Sequence, residues 1–200
     1  MEQSTISSIH TRFTTQYFPD IPTLRHMFSS QVVLIEAAET YQKNSLRNRC
    51  YLASSTGKIM LSVPLCKGKH QQLAIREVRI AHHLPWVSNH LRTISNYYKR
   101  APFFDHFFGD IEAILGRKQT FLLDLNWDLL HYICSCFHWN PDIAYALDFV
   151  PSREKDPLEL NDHLVYPQLF QDKNGFIGGL STLDLMFCIG PQLKYLSARN

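Results

Sequence analysis

The sequence predicts an α/β or α+β fold in a single compact domain, with a small mixed sheet packed by helices in the N-terminal half and a mostly helical C-terminal half. Three observations support this. Short apolar runs bounded by turn residues dominate residues 9–80, which is typical of strands. Apolar residues repeat at helical spacing from Pro85 onward. A chain of 200 residues that is 45% hydrophobic is large enough to build one core.

Composition and charge argue against several classes of protein. The formal net charge of +2 provides no chain-wide basic field, so we expect no nucleic-acid partner. No apolar run approaches the roughly 20 residues of a membrane-spanning helix, and the N-terminus has no signal-peptide pattern. The five cysteines are scattered and form no Cys-x-x-Cys pair, which favours reduced thiols. We therefore expect a cytoplasmic protein without membrane insertion.

The first elements are predicted to be a strand, a turn, a short helix and a second strand. Residues 9–15 form the first strand, Asp20 caps a helix with a proline in its first turn, and residues 32–37 form a buried strand. This order predicts a right-handed crossover between parallel neighbours. Ligands of such sheets bind beyond the carboxyl ends of the strands, which here are residues 16–20 and 36–49.

A hairpin and one more strand are predicted before the first long helix. Residues 51–64 alternate around a Ser-Ser-Thr-Gly turn and end at a proline, which predicts a β-hairpin. Residues 74–80 alternate in a similar way, with Val78 and Ile80 predicted to point inward. The polar residues 66–72 between these elements are predicted to be a solvated loop.

Helices are predicted for most of the remaining chain. The first spans residues 85–100, and its buried stripe is predicted to be Val87, Leu91, Ile94 and Tyr98, with Trp86, His90 and Tyr97 beside it. Two more helices are predicted at 103–115 and 121–138. Residues 150–163 are charged and flanked by prolines, which predicts an exposed loop.

The C-terminal part begins with a short extended piece and a glycine-rich turn at 175–179. Ser181 and Asp184 have the spacing of a capping box, which predicts a helix at 183–189. The sequence Gly190-Pro191 ends this helix, and a final turn is predicted at 192–196.

The cationic segment, residues 41–50, is predicted to form one wall of a ligand site. Its cations are Lys43, Arg47 and Arg49. Asn48 and other hydrogen-bonding residues stand between them. A guanidinium group can hold a phosphate or a carboxylate through two parallel hydrogen bonds. The alternative is that both arginines pair with Glu36 and Glu39, which are close in sequence.

Two further features have both a functional and a structural interpretation. The glycine-rich turn before Ser181 offers backbone N–H groups at a helix start, either for an anion or as a plain loop-to-helix junction. His90 shares a helix face with Trp86 and is either a general base or a buried structural histidine. No pair of histidines has the spacing of a helical zinc site, so we expect no metal and no cofactor.

An ordered set of motifs resembles a known family. The motifs are the cationic segment, Leu61-Ser-Val-Pro64, Trp86 with His90, Tyr98 with Pro102-Phe-Phe104, Asp124-Leu-Asn126, Tyr166-x-Gln-x-Phe170, and Gly175-Phe-x-x-x-Leu-Ser-x-x-Asp184 leading to Gly190-Pro191. With them the chain resembles the WbqC-like protein family, in the short form common in Bacteroidetes-type bacteria, over about residues 12–196. Gly179 and Cys188 stand where this family usually has asparagine.

The resemblance implies a role in surface-polysaccharide biosynthesis, because transfer of glycine in O-antigen decoration has been suggested for the family. We therefore predict a transferase of small groups whose partner is a small anionic ligand, either a nucleotide, a sugar nucleotide or an amino acid. His90 is its predicted catalytic residue. The predicted substrate-binding residues are Lys43, Arg47, Asn48, Arg49, Trp86, Tyr98, Tyr166, Gln168, Ser181 and Asp184. The alternative is a non-catalytic ligand-binding or accessory protein with a structural arginine cluster.

Overall fold

A three-stranded parallel sheet forms the N-terminal layer of the computed structural model, which describes residues 10–68, 72–148 and 164–197. Its strands are β1 (His10–Phe13), β2 (Val32–Glu36) and β5 (Asp142–Ala146), in the order β1-β2-β5. Together with a separate antiparallel hairpin and the helices, this sheet makes a mixed α/β fold, as predicted. One cluster of buried side chains runs from Phe13 to Leu196.

The crossover from β1 to β2 follows the prediction. Helix α1 (Ile21–Phe28) lies between the two strands, and His10 pairs with Val32 in parallel register. Asp20 caps the helix because its carboxylate accepts a hydrogen bond from the Thr23 N–H at 3.0 Å. The chain therefore leaves β1 and enters α1 at the carboxyl edge of the sheet.

Strand β5 was not predicted, and it completes the parallel sheet on the other side of β2. It pairs with β2 from Val32 with Asp142 to Glu36 with Ala146. The strand has five residues, of which two are alanine and one is aspartate. It therefore lacks the run of large apolar residues that marks a buried strand. Pairing with β2, rather than local propensity, makes this segment extended.

The hairpin consists of β3 (Arg49–Ser54) and β4 (Gly57–Ser62), joined by a tight turn in which Gly57 has φ +110°. Cys50 and Leu52 are buried on one face, as expected from the two-residue period of a strand. Arg49 lies opposite Ser62, which fixes the register of the outer face.

The prediction of a strand at residues 74–80 is wrong. The segment contains a short 3₁₀ turn, Ile75–Glu77, and is held by isolated bridges rather than by a ladder. Leu65 pairs with Ile80, and Arg79 pairs with Phe121. Ile75, Val78 and Ile80 are buried. The apolar pattern therefore predicted correctly that Val78 and Ile80 point inward, but it did not predict the backbone conformation.

The helices of the C-terminal half are α2 (Trp86–Tyr98), α3 (Phe104–Gly116) and α4 (Leu122–Cys136), followed by α5 (Gln171–Asn174), α6 (Thr182–Ile189) and α7 (Lys194–Ser197). The buried face of α2 combines the two predicted stripes, since Trp86, His90, Ile94 and Tyr98 are all buried at four-residue spacing.

Two other expectations concern the chain as a whole. Among the described residues, no helix is long and apolar enough to cross a membrane. The loop predicted at 150–163 lies outside the described residues.

We predict that Gly190→Ala destabilises the fold by about 1–3 kcal/mol, since Gly190 has φ +74° and ψ 174°, a conformation reserved almost entirely for glycine. An added Cβ would also lie 3.0 Å from the Phe103 ring. Urea denaturation measures the change. Gly178→Ala is the matched control, because Gly178 has ordinary φ and open space around it. Equal stability of the two variants would contradict the prediction.

Candidate functional site

The structure separates the three cations of the cationic segment. Lys43 is exposed, and Arg47 is only 3% exposed. The Arg47 guanidinium forms a two-pronged ion pair with Glu39, in which Nε donates to Oε1 at 2.9 Å and Nη2 donates to Oε2. Because both charges are buried and face each other, Arg47 is held inside the fold by its partner.

Arg49 differs from Arg47 in its surroundings. It is half-buried, and its Nε atom is fully buried without a hydrogen-bond partner among the described residues. Burial raises the pKa of Tyr41, while the charges of Arg49 and Arg47 act to lower it, so both guanidinium groups are near this ring. Glu39 pairs with Arg47, and among the described residues no carboxylate forms an ion pair with Arg49.

Glu36 does not pair with either arginine of the cationic segment. It accepts a hydrogen bond from Arg12 at 3.2 Å, and Arg12 also binds the carboxylate of Asp148. The expected pairing of both arginines with both glutamates is therefore realised only for Arg47 with Glu39. The reason is topological: Glu36 ends β2 beside β1, which brings Arg12 to it.

Asn48 is a structural residue in this conformation. Its Oδ1 accepts from the Tyr41 hydroxyl at 3.0 Å, and its Nδ2 donates to the Val63 carbonyl at 2.8 Å. These bonds tie the cationic segment to the end of the hairpin.

The outer face of the hairpin places Arg49 beside further polar side chains. We call this the hairpin face, and its residues are Arg49, Tyr51, Lys58, Met60 and Ser62. The Lys58 ammonium lies 5.3 Å from the centre of the Tyr51 ring and 3.4 Å from the Gly179 carbonyl oxygen. Lys58 was not predicted as a site residue. Alternation places it on the same face as Met60 and Ser62, but only the folded hairpin brings it beside Gly179.

His90 is buried at 6% exposure, and its Nδ1 lies 2.9 Å from the Tyr17 hydroxyl. Burial lowers the pKa of His90 to about 4, and a hydrogen bond with the Ser62 backbone only partly opposes this effect. The imidazole is therefore neutral near pH 7, with Tyr17 at one nitrogen. A free lone pair for general-base catalysis would require the Tyr17 hydroxyl to turn away.

Trp86 packs against His90 with ring centres 5.2 Å apart, so the predicted shared face is confirmed. The indole is 5% exposed, and its Nε1 has no hydrogen-bond partner among the described residues. Tyr17, whose ring centre is 6.5 Å away, covers it from the loop after β1.

Tyr98, Tyr166 and Asp184 form one buried network. The Tyr98 hydroxyl donates to Asp184 Oδ1 at 2.6 Å, and the Tyr166 hydroxyl donates to Oδ2 at 2.5 Å. Tyr98 also accepts from the Ala53 N–H at 2.8 Å. Burial raises the pKa of Asp184, whereas the two tyrosine hydrogen bonds act to lower it. The polar atoms of this network are therefore satisfied within the protein.

The helix start at Ser181 is occupied by the protein itself. Ser181 caps α6, because its Oγ accepts from the Leu183 N–H at 3.2 Å. The Ser181 N–H donates to the Tyr51 carbonyl, and the Thr182 N–H donates to the Pro19 carbonyl, each at 2.8 Å. Asp184 does not close the predicted capping box, since both its oxygens accept from tyrosines. An anion would have to displace these internal bonds.

Gln168 holds the glycine-rich turn. Its side-chain amide pairs with the backbone of Ile177 through two hydrogen bonds of 2.8 Å, one in each direction. The turn itself therefore depends on this glutamine.

A crevice opens at the carboxyl ends of β1 and β2, where the parallel topology predicts ligands. Thr14, Thr15 and Gln16 line it from the loop after β1, and Asn126 and Trp127 line it from α4. Asn126 Nδ2 donates to Thr15 Oγ1 at 3.1 Å and to the Arg47 carbonyl at 2.8 Å. Asn126 thus joins the crevice to the cationic segment, a role that sequence analysis did not assign.

The expected composite site is only partly assembled. Arg49 projects to the hairpin face, while His90 and the start of α6 are packed inside by Tyr17 and by the loop after β1. No group of three or more histidine, cysteine or acidic side chains that could hold a metal ion occurs among the described residues.

We predict that Arg47→Ala lowers the free energy of unfolding much more than Arg49→Ala, because Arg47 is a buried structural residue and Arg49 is half-buried on the hairpin face. Removing Arg47 takes the two-pronged cationic partner away from the buried Glu39 carboxylate, which costs about 3–5 kcal/mol. Removing Arg49 deletes a side chain that has no hydrogen-bond partner in the described part of the chain, so we expect a change below about 1 kcal/mol. Denaturant unfolding measures both. The double variant Arg47→Met with Glu39→Leu should regain much of the lost stability, and comparable losses for the two alanine variants would refute the assignment.

We predict that His90 makes stability depend on pH. Its pKa is about 4 when folded and about 6.5 when unfolded, so the unfolded chain binds more protons between these values. The contribution is complete above about pH 6.5, and about 3 kcal/mol is lost as the pH falls to about 4. Urea unfolding from pH 7.5 to 4.5 should show a shallower dependence for His90→Asn. His83→Asn, at an exposed position, should retain the original slope.

Comparison with known proteins confirms the family resemblance. The profile of the WbqC-like protein family matches residues 15–157, which is more than half of the 200 residues. The match covers the cationic segment, the hairpin and helices α2 to α4, and it ends before α6. No curated protein and no solved structure matches the chain. The chain therefore belongs to the WbqC-like protein family.

Proposed function

We propose that this chain binds a small anionic ligand at the hairpin face and transfers a small group from it in surface-polysaccharide biosynthesis. The observation that carries this proposal is the guanidinium of Arg49, whose buried Nε has no partner among the described residues. An incoming phosphate or carboxylate would give this guanidinium the acceptor that it lacks among the described residues. The transferred group would be glycine or another amino acid.

Neighbouring residues extend this anion site. Lys58 stands on the same face and adds a second positive charge beside the Tyr51 ring. Tyr51 is half-buried and takes the stacking role first expected of Trp86 and Tyr98, which are buried. Lys43 is exposed on the cationic segment and would contribute through longer-range attraction.

The remaining predicted site residues support this face from behind. Arg47 and Asn48 fix the path of the segment that carries Arg49. Tyr166, Gln168, Ser181 and Asp184 fix the turn and the helix start next to Lys58. His90 contacts the backbone of Ser62, which lies directly opposite Arg49 in the hairpin. In this proposal His90 positions that strand and becomes a base only if Tyr17 releases it.

A non-catalytic ligand-binding or accessory protein is the second candidate. The observation that favours it is the burial of His90 and the engagement of its Nδ1 by Tyr17. Under this alternative the same anion binds at Arg49, but no group is transferred.

We predict that a thermal-shift screen of nucleotides, sugar nucleotides and amino acids finds a stabilising ligand. At a ligand concentration of 100 times the dissociation constant, mass action adds about 2.7 kcal/mol to the free energy of unfolding. Arg49→Ala should abolish the shift, and Lys58→Ala should reduce it. Arg76→Ala is the matched control, because Arg76 is exposed on a different element.

Two outcomes decide between the candidates. Mass spectrometry of the ligand after incubation with the protein and acceptor saccharides would show loss of the transferable group if the chain is a transferase. An unchanged ligand in a stable complex would support the accessory protein. A screen without stabilising ligands, or an undiminished shift in Arg49→Ala, would refute the anion site itself.

A further inference from the structure

The crevice between the loop after β1 and helix α4, which we call the Asn126 crevice, contains a buried polar atom that nothing in the described chain satisfies. Asn126 is 1% exposed, and its Oδ1 has no hydrogen-bond partner among the described residues. The crevice is small, with room for about one water molecule. A buried acceptor of this kind calls for a donor from outside the chain.

The orientation of the Asn126 amide is determined by its neighbours. Nδ2 donates to two acceptors, the Thr15 hydroxyl and the Arg47 carbonyl. Exchanging the nitrogen and oxygen would set Oδ1 against the Arg47 carbonyl oxygen and lose that bond, so the orphan atom is the oxygen. The group that enters must therefore carry an N–H or O–H.

The lining of the crevice favours a positive over a negative charge. Among the described residues, no lysine or arginine side chain lines it. The Gln16 amide is already used, since Nε2 donates to Thr23 Oγ1 and Oε1 accepts from the Asp20 N–H. The side-chain oxygens that remain in the lining are those of Thr14, Thr15 and Asn126, which can accept hydrogen bonds.

The size of the crevice limits the group further. The whole crevice has room for about one water molecule, and its walls are apolar on the side of Met27, Ile35 and Leu130. An ammonium group is similar in size to water and carries three donors. A guanidinium or a quaternary ammonium is too large for this space or lacks donors.

We propose that the Asn126 crevice binds the ammonium group of a small primary amine, with Asn126 Oδ1 and the hydroxyl oxygens of Thr14 and Thr15 as acceptors. None of these residues belongs to the hairpin face, so the proposal stands independently of the anion site. The remainder of the amine extends through the open mouth toward solvent.

The test is a titration of the ¹⁵N-labelled full chain with ethylamine hydrochloride, followed by the side-chain amide signal of Asn126 and the indole signal of Trp127. We expect saturable shifts at both signals. Tetramethylammonium chloride, which has the same charge but no N–H, should produce none, and sodium chloride provides the ionic-strength control. Equal or non-saturating responses to all three salts would overturn the proposal and leave the crevice as a water site.

A variant pair connects the shifts to the crevice. Thr14→Val removes one acceptor at a half-buried position without touching the bonds of Asn126, and we expect at least a threefold weaker binding of ethylamine. Thr120→Val carries the same substitution at an exposed position and should bind normally. Both variants should retain the backbone spectrum of the folded chain. Unchanged affinity in Thr14→Val would refute the assignment of the acceptors.

Discussion

The buried carboxylate of Asp184 is the interaction on which most of the tertiary structure depends. It lies on α6, accepts one tyrosine hydroxyl from α2 and another from residue 166, and through Tyr98 also reaches the backbone of β3 at Ala53. Four parts of the chain that are far apart in sequence meet at this one acidic group. A buried carboxylate without an adjacent cation is costly unless both its oxygens are hydrogen-bonded, and the two tyrosines meet that requirement.

This arrangement determines what the start of α6 can do. With Asp184 engaged by tyrosines, the helix is held against β3 and against the loop after β1. The N–H groups of Ser181 and Thr182 then bind the carbonyls of Tyr51 and Pro19. A helix start offers an anion site only when its donors are free, so the motif that resembles an anion cradle serves instead as a junction between layers.

A similar division applies to the cationic segment. The Arg47 guanidinium is paired with Glu39 inside the fold. The backbone carbonyl of Arg47 accepts a hydrogen bond from Asn126 beside the crevice. Arg49, two residues later, lies on the hairpin face, and none of the described carboxylates pairs with it. The two-residue spacing of Arg47 and Arg49 therefore does not predict which of them is structural and which can bind a ligand. Glu39 pairs only with the guanidinium group of Arg47. Positive charge on one surface and acceptor oxygens in the crevice make two chemically distinct places on the molecule.

The sequence by itself determined the family, the mixed α/β class, the crossover from β1 through α1 to β2, and the main helices. These features follow from local patterns, namely apolar periodicity, the Asp20 cap and the Gly190-Pro191 stop, which act within a few residues. Tertiary structure alone decided that β5 joins the sheet, that residues 74–80 are not a strand, and that Tyr17 occupies His90. Strand partners and hydrogen-bond partners come from distant parts of the chain. Local sequence patterns do not determine which donor binds which acceptor. The same reason explains why Lys58 and Asn126 became visible as candidate binding residues only in the folded molecule.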